Sequence, residues 1–169
     1  MPWRESKILL TIYGLARLYT AQNRYDEAET LFSEILEIDS RRRGEDHRET
    51  LRFMNGYAVL LTKQKRYDEA EPLFKKVLEG RRQKLYEDHP DTLETKNDLA
   101  VLYKEQARYD EAEPLLVEAI EGRHLKLGDT HPHTIESLNT LIDLYEAWNK
   151  PEEAEKWRAK LSQTEAVTE

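Results

Sequence analysis

The stretch RYDEAEPL at residues 66–73 returns unchanged at 108–115, and NRYDEAET at 23–30 is nearly the same phrase. Around it, Tyr25, Tyr67, Tyr109 and Pro151 fall at intervals of 42 residues. Ala28, Ala70, Ala112 and Ala154 keep that step, and so do His47, His89 and His131. Laid over each other, residues 50–91 and 92–133 share about half their identities, including Asn55/Asn97, Ala58/Ala100 and Pro90/Pro132. A period of this length marks a repeat architecture in which each unit is one supersecondary element. Four units fill nearly the whole chain, at about residues 4–45, 46–87, 88–129 and 130–161, and a polar tail, SQTEAVTE, follows at 162–169.

Within a unit, apolar residues recur three and four apart. Leu99, Ala100, Leu102 and Tyr103 form one stripe, and Ala112, Leu115, Leu116, Ala119 and Ile120 form another. Each unit therefore reads as two amphipathic helices, and no strand pattern competes. The spacing of Asp26 and Glu29, Asp68 and Glu71, and Asp110 and Glu113 predicts a capping box at the start of each second helix. Arg81, Arg82 and Lys84, or Arg123 and Lys126, close that helix with the charge its dipole favours. Pro72 and Pro114 are expected within about its first turn, where little hydrogen bonding is lost. DHPDT and DTHPHT supply the next helix start, with proline near the first helical position. RYDEAEPL is then the corner between two antiparallel helices, with a tyrosine wedging the turn. A single such pair cannot bury its apolar face alone, so units stabilise one another as an all-α array.

Composition agrees. Apolar residues make up 38% of the chain and charged residues 36%, which suits a folded protein with much solvated surface. A formal charge of −8 and a pI near 5.3 argue against nucleic acid or an anionic membrane as partner, since both call for a basic footprint. There is no cysteine, which excludes disulfides, thiolate metal sites and thiol nucleophiles and is compatible with a cytoplasmic location. No run of 18 apolar residues exists, and MPWRESKILLTIY has no cleavage-site pattern.

The pattern resembles tetratricopeptide repeats, specifically the 42-residue variety of kinesin light chains, nephrocystin-3-like proteins and many bacterial multidomain proteins. The resemblance rests on Ala16, Ala58 and Ala100 in the first helix and on Tyr19, Tyr103 and Tyr145 one turn later. It rests also on the Y-x-x-A of the second helix, the connecting H-P of two units, and MNGYA, KNDLA and LNTLI where the light chains carry an N-N-L-A-like phrase. It covers about residues 8–161 and implies a right-handed superhelical solenoid of four helix-turn-helix units. Tyr13 in place of the asparagine, Pro151 in place of the tyrosine, and Arg158 in the slot of Phe32, Phe74 and Leu116 depart from it. A charge at Arg158 is expected to leave no fifth unit packed beyond it, and the tail to fray.

The resemblance also implies that first helices line a concave, peptide-binding groove. Positions i, i+3, i+7 and i+10 point into it: Leu10, Tyr13, Arg17 and Thr20; Arg52, Asn55, Val59 and Thr62; Glu94, Asn97, Val101 and Lys104; and Glu136, Asn139, Asp143 and Glu146. None of these is expected to be needed by the interior, which the stripe of Met54, Tyr57, Ala58 and Leu61 supplies. Asn55, Asn97 and Asn139 stand in register, and a carboxamide offers both donor and acceptor to an extended backbone; capping a turn or meeting water is the alternative. Arg17 and Arg52 call for acidic character in the ligand, whereas Glu136, Asp143 and Glu146 call for basic character. Such a groove holds on the order of ten extended residues. Val59 and Val101 stand where recognition of a terminal carboxylate would need a basic or amide side chain.

Other constellations carry less. His47, His89 and His131 repeat too far apart to share an ion and read as turn residues; His131 and His133 offer at most a weak surface site. Paired carboxylates such as Glu152 and Glu153 sit in first turns, where the dipole accounts for them. Arg41, Arg42 and Arg43 read as a helix C-terminus rather than a nucleic-acid contact. Trp148 and Trp157 read as packing residues and Trp3 as part of an exposed N-terminal rim. No catalytic, cofactor or metal constellation emerges. The chain is expected to be a non-catalytic scaffold for a protein or peptide ligand. The alternatives are a segment that self-associates, as a homodimer, through the apolar KILLTIYGLARLY helix, or a regulatory part of a larger bacterial signalling protein.

Overall fold

The computed structural model describes the backbone of residues 2–166, with side-chain surroundings for residues 6–163. The rim expectation for Trp3 and the end of the tail lie outside the described side chains. Among the described residues there are eight α-helices and no strands, so the chain is all-α. It divides after Gln83 into two compact units. The first holds α1 (Pro2–Ala21), α2 (Tyr25–Arg43), α3 (Arg48–Lys63) and nearly all of α4 (Tyr67–Lys84). The second holds α5 (Pro90–Glu105), α6 (Tyr109–Leu127), α7 (Pro132–Ala147) and α8 (Pro151–Ala166). Helix α8 thus continues past residue 162, because SQTEA contains no glycine or proline to stop it.

The corner within each hairpin is the same four times. Asn23, Lys65, Ala107 and Asn149 take φ of 60°, 61°, 58° and 59°. The next N–H then bonds back to a carbonyl of the preceding helix, as in Arg24 to Tyr19 at 2.9 Å and Arg108 to Tyr103 at 2.9 Å, the Schellman pattern that satisfies a helix end. This geometry corrects the expected capping box. The helix begins at Tyr25 or Tyr109, with Arg24 or Arg108 at the cap position and no side-chain cap, so Asp26 and Asp110 lie within the first turn. There they still face the positive end of the helix dipole. Pro72 and Pro114 fall one turn later than expected, inside the helix, where each forgoes one intrahelical bond. The starts of α3, α5 and α7 are capped by histidines instead. The Nδ1 atoms of His47, His89 and His131 accept the N–H two residues on at 3.2, 3.1 and 3.2 Å, which gives these residues their turn role.

In the first unit Leu9, Tyr13, Ala16, Ala28, Phe32, Ile35, Phe53 and Leu60 form one core. Tyr13 meets Phe32 edge-on, with centroids 6.0 Å apart, and lies 5.3 Å from Phe53. Glycine at 56 is what lets α3 approach. A Cβ there would stand 2.7 Å from the Tyr13 ring and 2.9 Å from Phe32. In the second unit Leu93, Leu99, Ala100, Leu102, Leu116, Ala119, Leu138, Leu141 and Leu144 fill the corresponding interior.

Candidate peptide-binding faces

The sixteen positions expected to face a ligand do not behave alike. Arg17, Arg52, Glu136, Asn139, Asp143 and Glu146 are exposed, as is Leu10 at the margin, and Val59, Glu94, Val101 and Lys104 are half-buried. Tyr13, Thr20, Asn55, Thr62 and Asn97 are buried, so the expectation that the interior needs none of them is corrected here. Tyr13 belongs to the first core. The hydroxyls of Thr20 and Thr62 donate to the carbonyls of Ala16 and Ala58, each at 2.9 Å, which satisfies them within their own helices. Asn97 is only 4% exposed, and its Oδ1 accepts from Ser137 Oγ at 2.8 Å. Ser137 in turn accepts from Arg123 Nη1 at 2.6 Å, and the same nitrogen donates to the carbonyl of His133 at 2.7 Å. The chain Arg123–Ser137–Asn97 is therefore a buried polar seam joining α5, α6 and α7.

In the first unit the exposed guanidiniums of Arg17 on α1 and Arg52 on α3 lie 5.7 and 5.2 Å from the centroid of the one Tyr13 ring. A buried tyrosine thus stands beside two cations from different helices, each attracted by its ring. Glu49 sits 3.7 Å from Arg52, one turn earlier on α3. The second unit has the opposite character. Burial pulls the Arg123 guanidinium below its ordinary pKa, and the nearby carboxylates of Glu136, Asp98 and Glu94 act against that. Glu136 is 3.9 Å from Arg123, Asp143 is exposed, and Glu146 is ion-paired with Arg158. Lys104 is the cation among the expected face residues of α5 and α7.

The remaining motifs find structural partners. Arg41 pairs with Glu37 at 2.8 Å, and Arg43 bonds Asp39 at 2.7 Å, while Asp39 also accepts from Thr50 at 2.7 Å. His133 turns toward Glu136 at 3.3 Å. Among the described residues no group of three or more His, Asp or Glu side chains is placed to hold a metal ion, and no helix is long and apolar enough to cross a membrane. Trp148 stacks on Tyr145, with centroids 6.5 Å apart, and lies 5.8 Å from Tyr109. The reading of the sequence missed Glu29, which accepts from Tyr57 at 3.1 Å, Gln64 at 3.2 Å and Arg66 at 2.7 Å. Its signal was present as a glutamate recurring at 29, 71 and 113, attributed there to capping.

The family model described as Tetratricopeptide repeat matches residues 8–83, 53–123 and 91–158. A search of the curated proteins found no match. Among solved structures, the chain is similar to a kinesin-light-chain-assigned protein of Podosopora anserina with nearly identical TPR-like repeats. The identity is 24%, the match covers 95% of this chain and 76% of that one, and the TM-score is 0.85. It is similar also to BtubC (BKLC) from P. vanneervenii, at 21% identity over 95% of this chain and 64% of that one, with a TM-score of 0.82. At these identities the likeness is one of fold.

Proposed function

Because the chain belongs to the tetratricopeptide repeat family, whose repeats generally mediate protein–protein interaction, we propose that it is a non-catalytic module that holds extended peptide segments against its first-helix faces. The observation that carries this reading is the convergence of Arg17 and Arg52 on the Tyr13 ring. Two cations beside one ring, open to solvent and not consumed by the core, suit an acidic side chain of a ligand. On the second unit Glu94, Glu136, Asn139 and Asp143 suit a basic segment, with Lys104 as the local exception. Asn139 replaces the asparagine triad as the amide that can meet a peptide backbone, since it is the exposed one of the three. Fluorescence anisotropy with labelled ten-residue peptides of alternating Glu and Leu, or Lys and Leu, tests it. Arg17→Glu with Arg52→Glu should weaken the acidic peptide tenfold or more and spare the basic one. Equal affinity before and after would defeat the reading.

A second reading has its own observation. Ile8, Leu15 and Leu18 on α1 are 57%, 38% and 51% exposed. At the 42-residue step these positions become Thr50, Tyr57 and Leu60 on α3, where Thr50 bonds Asp39 and Tyr57 packs on Phe32. The same face that α3 buries against a preceding hairpin is open on α1, and pairing with a second copy would cover it. Sedimentation at several concentrations, with and without Ile8→Glu, separates a dimer from a monomer. A monomer at every concentration would exclude this reading.

A further inference from the structure

The hairpins repeat, but the charged groups beside them do not repeat in the same way. In the first unit the loop after α2 is tied to α4 by an ion pair between Glu45 and Lys76. At the next step along the chain Glu87 and Glu118 take those two positions, and the residue between them is Lys96 on α5. Its ammonium is buried and reaches Glu87 at 2.8 Å and Glu118 at 2.9 Å, so the lysine itself bridges the groove.

At the third step both devices are gone. Leu138 stands where Lys96 does and has no amine to span the gap, and Asp129 replaces the longer glutamate. Asp129 is instead drawn aside into an ion pair with His124, while Lys160 lies over the Trp157 ring, 3.9 Å from its centroid. What is left between α6, α7 and α8 is a cavity of about 660 Å³. Ile120, Leu138 and Trp157 form its apolar wall, and Glu121, His124, Asp129 and Lys160 its rim. This size and this plan, an apolar body with a few polar groups at the mouth, are those of small-molecule sites. The rim sets two carboxylates against an ammonium and an imidazole, so it gives no strong preference for a charged guest. The indole of Trp157, where Leu115 stands one step earlier, gives the wall an aromatic side chain that suits a planar one.

We propose that the cavity between α6, α7 and α8 is a binding site for an uncharged, ring-bearing amphiphile, separate from the peptide-binding faces. The probe is N-phenyl-1-naphthylamine, titrated into a Trp3→Phe, Trp148→Phe background in which Trp157 is the sole tryptophan. Saturable energy transfer from Trp157 to the probe is the expected result. Two further variants close the cavity by copying what the chain already does elsewhere. His124→Ser with Asp129→Glu restores the residues of the first groove and frees the carboxylate for Lys160. Asp129→Glu, Leu138→Lys and Lys160→Glu together write in the bridge of the second. The double variant should weaken the probe severalfold and the triple variant tenfold or more, each at unchanged helical circular dichroism. The first changes only exposed side chains, so it remains readable if the triple variant fails to fold. Absence of saturable transfer in the parent, or undiminished binding in the folded closed variants, would overturn the proposal.

Discussion

A methyl group added at Gly122 would lie 2.7 Å from both terminal carbons of Leu93, and Leu93 is itself buried, so neither can swing away. Alanine gains about 1 kcal/mol over glycine in a helix interior, while overpacking costs about 1–3 kcal/mol. Gly122→Ala should therefore lower stability by about 1 kcal/mol in urea denaturation, and Leu93→Ala added to it should give less loss than the two changes summed. Gly14 on α1 meets nothing within 4 Å, so Gly14→Ala should raise stability, by about 0.5–1 kcal/mol. If both substitutions shift the midpoint in the same direction, the close approach at Gly122 is not what selects glycine. The asparagines teach a related lesson. The register of Asn55, Asn97 and Asn139 was plain in the sequence, but whether each carboxamide meets solvent depends on the residue that a neighbouring helix sets opposite it. Asn97 meets Ser137 and is consumed by the seam, whereas Asn139 is exposed. Asn97→Ala should cost about 1–3 kcal/mol by leaving the buried Ser137 hydroxyl without its acceptor, whereas Asn139→Ala should leave stability unchanged and act on peptide affinity alone.

At the scale of the element, the helices and their count were legible from the three- and four-residue spacing, but the way each one starts was not. The aspartates looked like caps because their spacing to glutamate fits one. The deciding fact is a left-handed residue before the corner, a backbone state that neither Lys65 nor Ala107 announces. A non-glycine residue pays about 1 kcal/mol to sit there, so Ala107→Gly should stabilise the α5–α6 hairpin by up to about that amount in thermal or urea melts, and a loss would argue against the observed turn. The displaced glutamate has a different task. Burial alone would raise the Glu29 carboxyl, but bonds from Arg66, Gln64 and Tyr57 outweigh it and hold the pKa below the ordinary value of 4.5. Burial and the Glu29 bond together push the Tyr57 hydroxyl upward. A carboxyl depressed by folding contributes stability above its unfolded value and loses it as the pH falls through the folded one. The advantage of the parent over Glu29→Gln should thus be full at neutral pH, about 1 kcal/mol, and shrink as the pH drops below about 4.5. A gap that stays constant from pH 7 to pH 3 would remove Glu29 from the account.

At the scale of the whole molecule, the 42-residue period made the architecture readable, because four agreeing copies leave little room for another fold. The same averaging hid what differs between copies. Lys96 and Leu138 occupy one position of the repeat, yet one bridges a groove and the other lines a cavity. Sequence periodicity reports the shared slot and not which neighbour fills it. Stability in such an array is close to a sum over hairpins and the contacts between neighbours, so it need not be even along the chain. Helix α1 buries Leu9, Tyr13, Ala16 and Thr20, whereas Ala154 is the buried side chain among the described residues of α8. Arg158 stands in the slot that Phe32 and Phe74 fill, and it spends its charge on Glu146 and Glu155 at the surface, where ion pairs contribute about 0–1 kcal/mol. Helix α8 should therefore open first. Native-state hydrogen exchange should find its amides less protected than those of α3 or α6, and Arg158→Leu should change that protection by less than about 0.5 kcal/mol, because an apolar side chain gains little at a position this exposed. Protection in α8 equal to that in α6 would mean that the last hairpin is held by more than the side chains it buries.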